Sequence, residues 1–531
     1  MPDTRITALP VATTPAEADL LPIVQGAGFA AETRRTSLSG LRAGLLADRP
    51  VHVRDFGAVG NGIADDGPAI QAAIDALNAK NGGTLLFGPR RYRIASPVVI
   101  DGVSVVLQGA GFTEGPSADD GTCITIDTTG FTPFTFTGTG ARGSAVRDIA
   151  VRQTHSAPQT ETWAPTDYPF VFDVVDCYGA VDFENVFLCA VNRGIRCDNS
   201  GRLNIQRLRG QVFTTGVEID RCYDIPRIHH VHFWNFWSGN LHIVRWQQAN
   251  TDGLVLRRCD GVFLDDIFAF GCRSMIRFAA SASGVTTKFY LGKGYADFAK
   301  YGLWVEGNNV TGQIACLTTQ GELFQGSGAP LAGSSGLRLD GNNAQIQVGN
   351  LRIDACEANA VRVGGRGNRL DIFALRCERY NLLNDGSAAL HLVNAATGTP
   401  NRVFLGTPPI LGNGNGGPLV NAGTNGTVVQ ALTAPGGTAN AVEVTGAVAG
   451  GAPGIAAAGA DADISLSLAA KGAGAILAGA PIQIPAYAVG SLPAAAWYPR
   501  CLIYVTDGAG NRRLAVSDGT SWRWPDGSVV S

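Results

Sequence analysis

Six short segments of this chain share one pattern, a small residue followed by two apolar positions that flank a third. They are Gly194–Cys197, Gly216–Ile219, Asn240–Ile243, Gly302–Val305, Gly336–Leu339 and Ala360–Val363. Spacings of 22, 24 and 24 residues separate Gly194 from Gly216, Gly216 from Asn240, and Gly336 from Ala360, with longer gaps where a loop leaves the repeat. A recurrence of that length is the mark of a solenoid. Each coil then holds two or three short strands, and the period of two sends Ile, Val, Leu and Cys inward while Arg, Glu, Asp and His face out.

Composition fits a large β-rich particle. Glycine occurs 69 times in 531 residues, about twice ordinary usage, and charged residues make up only 16%. Turns demand glycine, and stacked coils present long neutral faces. A net charge of −3 gives no electrostatic case for nucleic acid or an anionic membrane as partner. The eleven cysteines are scattered without a C-x-x-C pair, so they are expected as buried small hydrophobes, with no metal site and no cofactor. No stretch is long and apolar enough to insert in a membrane. Met1–Arg5 does not open a signal peptide, so the chain is expected to be made in a host cytoplasm and, to act outside, to leave by lysis or within a particle.

Residues 51–94 combine a strand, a glycine-rich turn, an amphipathic helix and a second strand. Asp65 can cap the helix, Pro68 suits its first turn, and Ile70, Ala73, Ile74 and Leu77 form its apolar stripe. Asn81–Gly83 stops it before the β-prone run Thr84–Phe87. This segment resembles the start of the pectate-lyase-like family of right-handed parallel β-helices, in which such a helix covers the open end of the solenoid. It departs from that pattern at Ile63, Ala64, Gly67, Arg90 and Arg91. The resemblance implies fold rather than chemistry, because the fold carries lyases, hydrolases, epimerases and adhesins.

Residues 1–48 have a different texture, with short β-like and helix-start pieces at Ile6–Pro10, Ala16–Gly26 and Thr36–Leu41. They resemble the N-terminal anchor of bacteriophage tail fibres and tailspikes, which implies attachment to virion capsid or tail proteins. Past residue 400 the chain turns Gly/Ala-rich, and Gly451–Gly474 is similar to a stretch of phage tail proteins that belongs to an intertwined stem. Alternation at Ile464–Leu468 and Ile482–Ile484 predicts strands there. Asp507–Gly508 and Asp518–Gly519 separate predicted strands at Leu502–Val505, Leu514–Val516 and Ser521–Trp524.

The richest outward stripe is His230, His232 and Trp234, followed by Trp237, Arg245 and Trp246. Aromatic faces on a rigid wall suit sugar rings, and His and Arg can bond hydroxyls or acidic groups, so these six are the candidate carbohydrate-binding residues. Two other readings stay open: a subunit contact, and a lateral loop packed on the solenoid. Two histidines at i and i+2 lack an evident third ligand for a metal. Asn250–Gly253 followed by Asp265–Asp266 resembles polygalacturonase-type β-helix hydrolases, which implies Asp252, Asp265 and Asp266 as catalytic carboxylates. The 13-residue offset is about half a coil, and the G-H-G and R-x-K elements of that family are absent. Glu218, Asp220, Glu306, Asp340, Asp354, Glu357 and Glu378 offer further pairs that the sequence does not rank.

The expected architecture is all-β: a right-handed single-stranded parallel β-helix with a small cap helix and a β-rich C-terminal stem, intertwined as a homotrimer. Its parts are an anchor (1–48), a leading segment with the cap helix (49–97), the β-helix (98–400), the stem (401–490) and a terminal meander (491–531). The expected function is a virion-associated spike that binds bacterial surface polysaccharide, capsule or lipopolysaccharide, with or without depolymerase activity. A stand-alone polysaccharide lyase or glycoside hydrolase, and a purely structural spike, are the alternatives.

Overall fold

The computed structural model describes residues 16, 18–25, 32–45, 49–118, 120–393, 398–421, 426–430, 440–445, 452, 454–459 and 461–531. They fall into two compact units, Met1–Thr433 and Ala434–Ser531.

The first unit is a parallel β-helix. One continuous parallel ladder starts at Val51–His52, passes through Gly83–Leu86 and Val105–Gln108, and continues to Arg402–Leu405 and Thr427–Gln430. Parallel pairing therefore runs past residue 400, where the change of composition had suggested the end of the solenoid. Interior side chains stack one per coil, because parallel in-register strands repeat each position at a spacing of about 4.8 Å. Ile205, Ile228, Leu264, Leu291, Ile314 and Val348 form one such column. Val217, Leu254, Ile276, Leu303, Leu337 and Val361 form another on the opposite ladder. All of these are buried, and each contributes about 1.5–3 kcal/mol of transfer free energy. Nine of the eleven cysteines are also buried, Cys316 and Cys501 being exposed.

The small residue that opens each repeat has a steric cause. A Cβ on Gly302 would lie 2.1 Å from the Thr319 methyl, and one on Gly336 would lie 2.3 Å from the Thr319 hydroxyl. Asn240–Ile243 breaks this rule, as it is not a strand. It starts the helix Leu241–Asn250, whose first turn is capped by the Asn240 side chain accepting from the His242 N–H at 2.8 Å. An apolar-x-apolar triplet fits the inner face of a short helix as well as a strand, and the cap decides between them.

The helix Gly67–Asn78 buries Ile70, Ala73, Ile74 and Leu77 against the first coils. Asp65 accepts from Gly67 N–H at 3.0 Å and from Ala95 N–H at 2.9 Å, tying the helix start to the segment just past the strand Arg91–Arg93. Near the N-terminus Leu20–Gln25 pairs antiparallel with Glu32–Ser37, followed by the helix Leu38–Leu45. The predicted piece Ile6–Pro10 lies outside the described residues.

In the second unit Asn440–Thr445 pairs antiparallel with Gly454–Gly459. The strands Ala486–Tyr487, Leu502–Val505, Leu514–Ser517 and Trp522–Arg523 form a four-stranded sheet over Ile503, Val505, Ala515, Trp522 and Trp524. Ile464–Leu468 and Ile482–Ile484, predicted as strands, are not strands in this single chain. Leu468 and Ile482 remain exposed there.

Candidate functional site

The strand Arg227–Phe233 buries Ile228, Val231 and Phe233 and exposes His230 and His232, with Trp234 exposed just beyond it. Simple alternation does not place His230. It occupies a corner of the coil in the left-handed region, and so do Asp148, Asn185, Arg207 and Asp266 on neighbouring coils, all with φ between 53° and 58°. Asn, Asp and His tolerate that conformation better than most residues. At this corner His230 Nδ1 lies 2.7 Å from Asp266 Oδ2, both side chains being largely exposed.

Beyond the corner runs a column of aromatic rings. His232 pairs in register with Phe268, and Phe268 with Tyr295. The His232 and Phe268 rings stack at 4.6 Å, and Phe268 meets Tyr295 edge-on at 5.4 Å. Trp234, 38% exposed, flanks the column at 4.3 Å from Phe270 and 6.1 Å from Phe268. The same column continues through Thr318 to Arg352 and Arg376, which pair with Glu378. Partial burial pushes the His232 ring below the usual imidazole range, so near neutral pH it presents a neutral ring. The column makes a continuous apolar strip on the outer wall with polar groups at its ends, a surface against which the apolar side of a sugar ring can lie.

Trp237 and Trp246 do not join it. Both are half-buried around Trp163, which lies 6.2 Å from Trp237 and 5.9 Å from Trp246, with Phe213 and Ile243 beneath. Arg245 donates from Nε to the Phe324 carbonyl at 3.2 Å. Buried Gln247 and Gln248 donate to the Val212, Phe298 and Glu322 carbonyls, fastening the helix Leu241–Asn250 to the solenoid. These three predicted contacts thus sit in a lateral excursion packed on the coil.

The three predicted carboxylates divide in the same way. Asp252 is on the ladder that also carries Thr215 and Ser274, its side chain only 3% exposed. It accepts from Arg273 Nε at 2.9 Å, Arg277 at 3.0 Å and the Ser274 hydroxyl at 2.7 Å. Asp265 and Asp266 belong to the strand Val262–Phe270 on the other ladder. Asp265 accepts from the Lys293 N–H at 3.1 Å. Asp252 therefore shares no face with the other two. Among the described residues no group of three or more His, Cys, Asp or Glu is placed to hold a metal ion.

Residues missed by the sequence reading include Phe268, Phe270 and Tyr295. They also include a second outward row on the opposite ladder, Arg277, Trp304, Arg338 and Arg362 in register. Arg277 lies over the Trp304 ring at 4.7 Å, and the Trp304 indole donates to Asp340 at 2.9 Å. The signal for this row was present: Trp304, Arg338 and Arg362 are the middle residues of three of the repeated triplets.

Residues 51–149 match the family described as rhamnogalacturonase A/epimerase, pectate lyase-like. The match covers 99 of the 531 residues, the cap helix and the first coils of the solenoid. A short stretch of the chain is similar to mannuronan C5-epimerase AlgE6 of Azotobacter vinelandii, 48% identical over 66 residues, covering 11% of this chain and 8% of the epimerase. Alginate lyase 7 of the same organism is 41% identical over 69 residues, 12% of this chain and 8% of the lyase. The chain thus spans less than a tenth of the length of these two relatives. Among solved structures, ORF18 of Geobacillus virus E2 is 13% identical with a TM-score of 0.36, covering 96% of this chain and 92% of its own. Tailspike protein 3 of bacteriophage CBA120 is 12% identical with a TM-score of 0.35, covering 97% of this chain and 74% of its own.

Proposed function

We propose that this protein is a virion-associated spike that binds bacterial surface polysaccharide along the outer wall of its β-helix. The observation that carries the reading is the exposed aromatic column His232, Phe268 and Tyr295 with Trp234 beside it, held on a rigid scaffold where no side chain need be ordered on binding. Replacing Trp234 by Ala deletes one stacking face. Binding of purified host capsule, followed by calorimetry, is expected to weaken by about 1–3 kcal/mol, roughly 5-fold to 150-fold. Unchanged affinity with an intact assembly would remove the wall from the binding site. Shortening of that capsule by the wild type, lost on Asp265→Asn with Asp266→Asn, would add a depolymerase activity; binding without shortening makes the protein an adhesin.

On this reading residues 1–48 attach the spike to capsid or tail proteins, and the C-terminal part joins three copies. The support for a trimer is the uncovered apolar surface between Asp461 and Pro485, where Leu477 is 90% exposed and Leu468 and Ile482 are also open to solvent. Intertwining would cover these residues and close free strand edges. Light scattering should give three times the chain mass of 55.3 kDa, and deletion of 434–531, which spares the coils of the solenoid, should return a monomer. A monomeric full chain would overturn this part of the reading.

A further inference from the structure

We propose that the β-helix carries a second binding site, a trough floored by Gly292, Ala315 and Gly349 that seats an uncharged, unbranched glycan. The inference rests on the polysaccharide-binding reading above but places a distinct ligand class at a distinct position. The trough lies on the near side of the coil corner, whereas the His232–Tyr295 column lies beyond it. Its volume is about 790 Å³, and it continues into a smaller depression of about 400 Å³ that shares Tyr290, Gln313, Gln347, Arg369 and Asp371.

Three features define its chemistry. The floor has almost no side chains. A Cβ on Gly292 would lie 2.2 Å from the Asp265 carboxylate, and one on Gly349 would lie 2.7 Å from the Ala315 carbonyl, so close packing of successive coils keeps this strip bare. Aromatic faces stand at both ends. Tyr290, packed 5.2 Å from Phe263, marks one end; Phe373, 64% exposed, and Phe404 mark the other.

Between them the trough wall is polar, and its one Arg–Asp pair leaves it without net charge, while Lys288 lines only the smaller depression. Gln313 and Gln347 stack in register, one amide donating to the other at 3.3 Å, which leaves each with free donor and acceptor capacity. Arg369 is neutralised by Asp371, with Nε 3.1 and 3.0 Å from the two carboxylate oxygens. Amides that both donate and accept suit hydroxyl groups, and a paired Arg–Asp gives no excess charge to attract a uronate. The outward column Tyr290, Gln313, Gln347, Asp371 and Phe404 spans four coil steps, about 19 Å at about 4.8 Å per step, the length of about four pyranose rings.

The test uses the full chain and two probe sets: linear neutral hexose oligosaccharides of glucose, galactose and mannose, and hexuronate oligosaccharides of the same lengths. Both are titrated by calorimetry. Neutral oligomers of four or more rings are expected to bind. Their affinity should fall at least 10-fold in Ala315→Phe, which fills the trough from an exposed position, and in Phe373→Ala, which removes an end face without adding bulk. Trp234→Ala should leave it unchanged. Binding confined to hexuronates and dependent on Trp234 would overturn the trough and keep the outer wall as the polysaccharide site. No binding of either set, with purified host capsule still bound through Trp234, would overturn the trough alone. A loss of trimer mass in Ala315→Phe and Phe373→Ala would make the trough a subunit contact and overturn it as a glycan site.

Discussion

Replacing Asp252 by Ala is expected to destabilise the β-helix by about 3 kcal/mol, measured by urea unfolding. The side chain is almost wholly buried and serves two guanidinium groups and the Ser274 hydroxyl at once. Arg277 keeps Glu306 at 2.7 Å, but Arg273 loses both of its hydrogen bonds to the carboxylate and keeps the Trp304 ring at 5.8 Å. The cost comes chiefly from that stranded charge. Adding Arg273→Met to Asp252→Ala should therefore recover much of the loss, because two removed charges need no compensation. A drop below about 1 kcal/mol, joined to loss of capsule cleavage, would make Asp252 a catalytic group instead of a structural one.

Acid sensitivity should trace to His155. Its ring is packed edge-on against Trp163, Tyr168, Phe213 and Trp237. Nδ1 accepts from the Thr166 N–H at 3.0 Å, so Nε2 bears the proton and donates to the Ala190 carbonyl at 2.8 Å. Burial holds the ring down at about 4, and a proton added at Nδ1 would point at another donor. A histidine whose folded value is depressed takes up its proton more readily when unfolded. Its contribution is therefore complete above about 6.5 and is lost as pH falls from there through about 4. The loss amounts to about 2–3 kcal/mol. In thermal melts between pH 7.5 and 4, His155→Gln should start lower than the wild type and decline less steeply, since an amide donates and accepts without titrating. Parallel declines would place the acid sensitivity elsewhere.

Much of this molecule was legible in one dimension. A solenoid repeats the same environment at each coil, so inward Ile, Val, Leu and Cys recur at a readable spacing, and Gly302 or Gly336 recurs because the adjoining wall leaves no room for a Cβ. The cap helix was equally legible, since its stop signal and apolar stripe are local. The Trp/His stripe was read only in part. His232 and Trp234 reached the outer wall by period-two alternation, but His230 sits at a left-handed corner that alternation does not describe. Trp237 and Trp246 went to another cluster because the chain leaves the coil as the helix Leu241–Asn250.

The sequence by itself determined the periodic part: a parallel β-helix, its capped end, nine of the eleven cysteines as buried, and the outward His232 and Trp234. Tertiary structure decided which outward residues meet. Asp252 and Asp265 are 13 residues apart yet lie on different ladders, while Tyr290 and Phe404 line one trough across 114 residues. Within a strand, alternation sets the side on which a residue emerges. Between coils, the face it joins depends on how many residues each loop and corner consumes before the next strand regains register, and that count is set by packing against neighbouring coils.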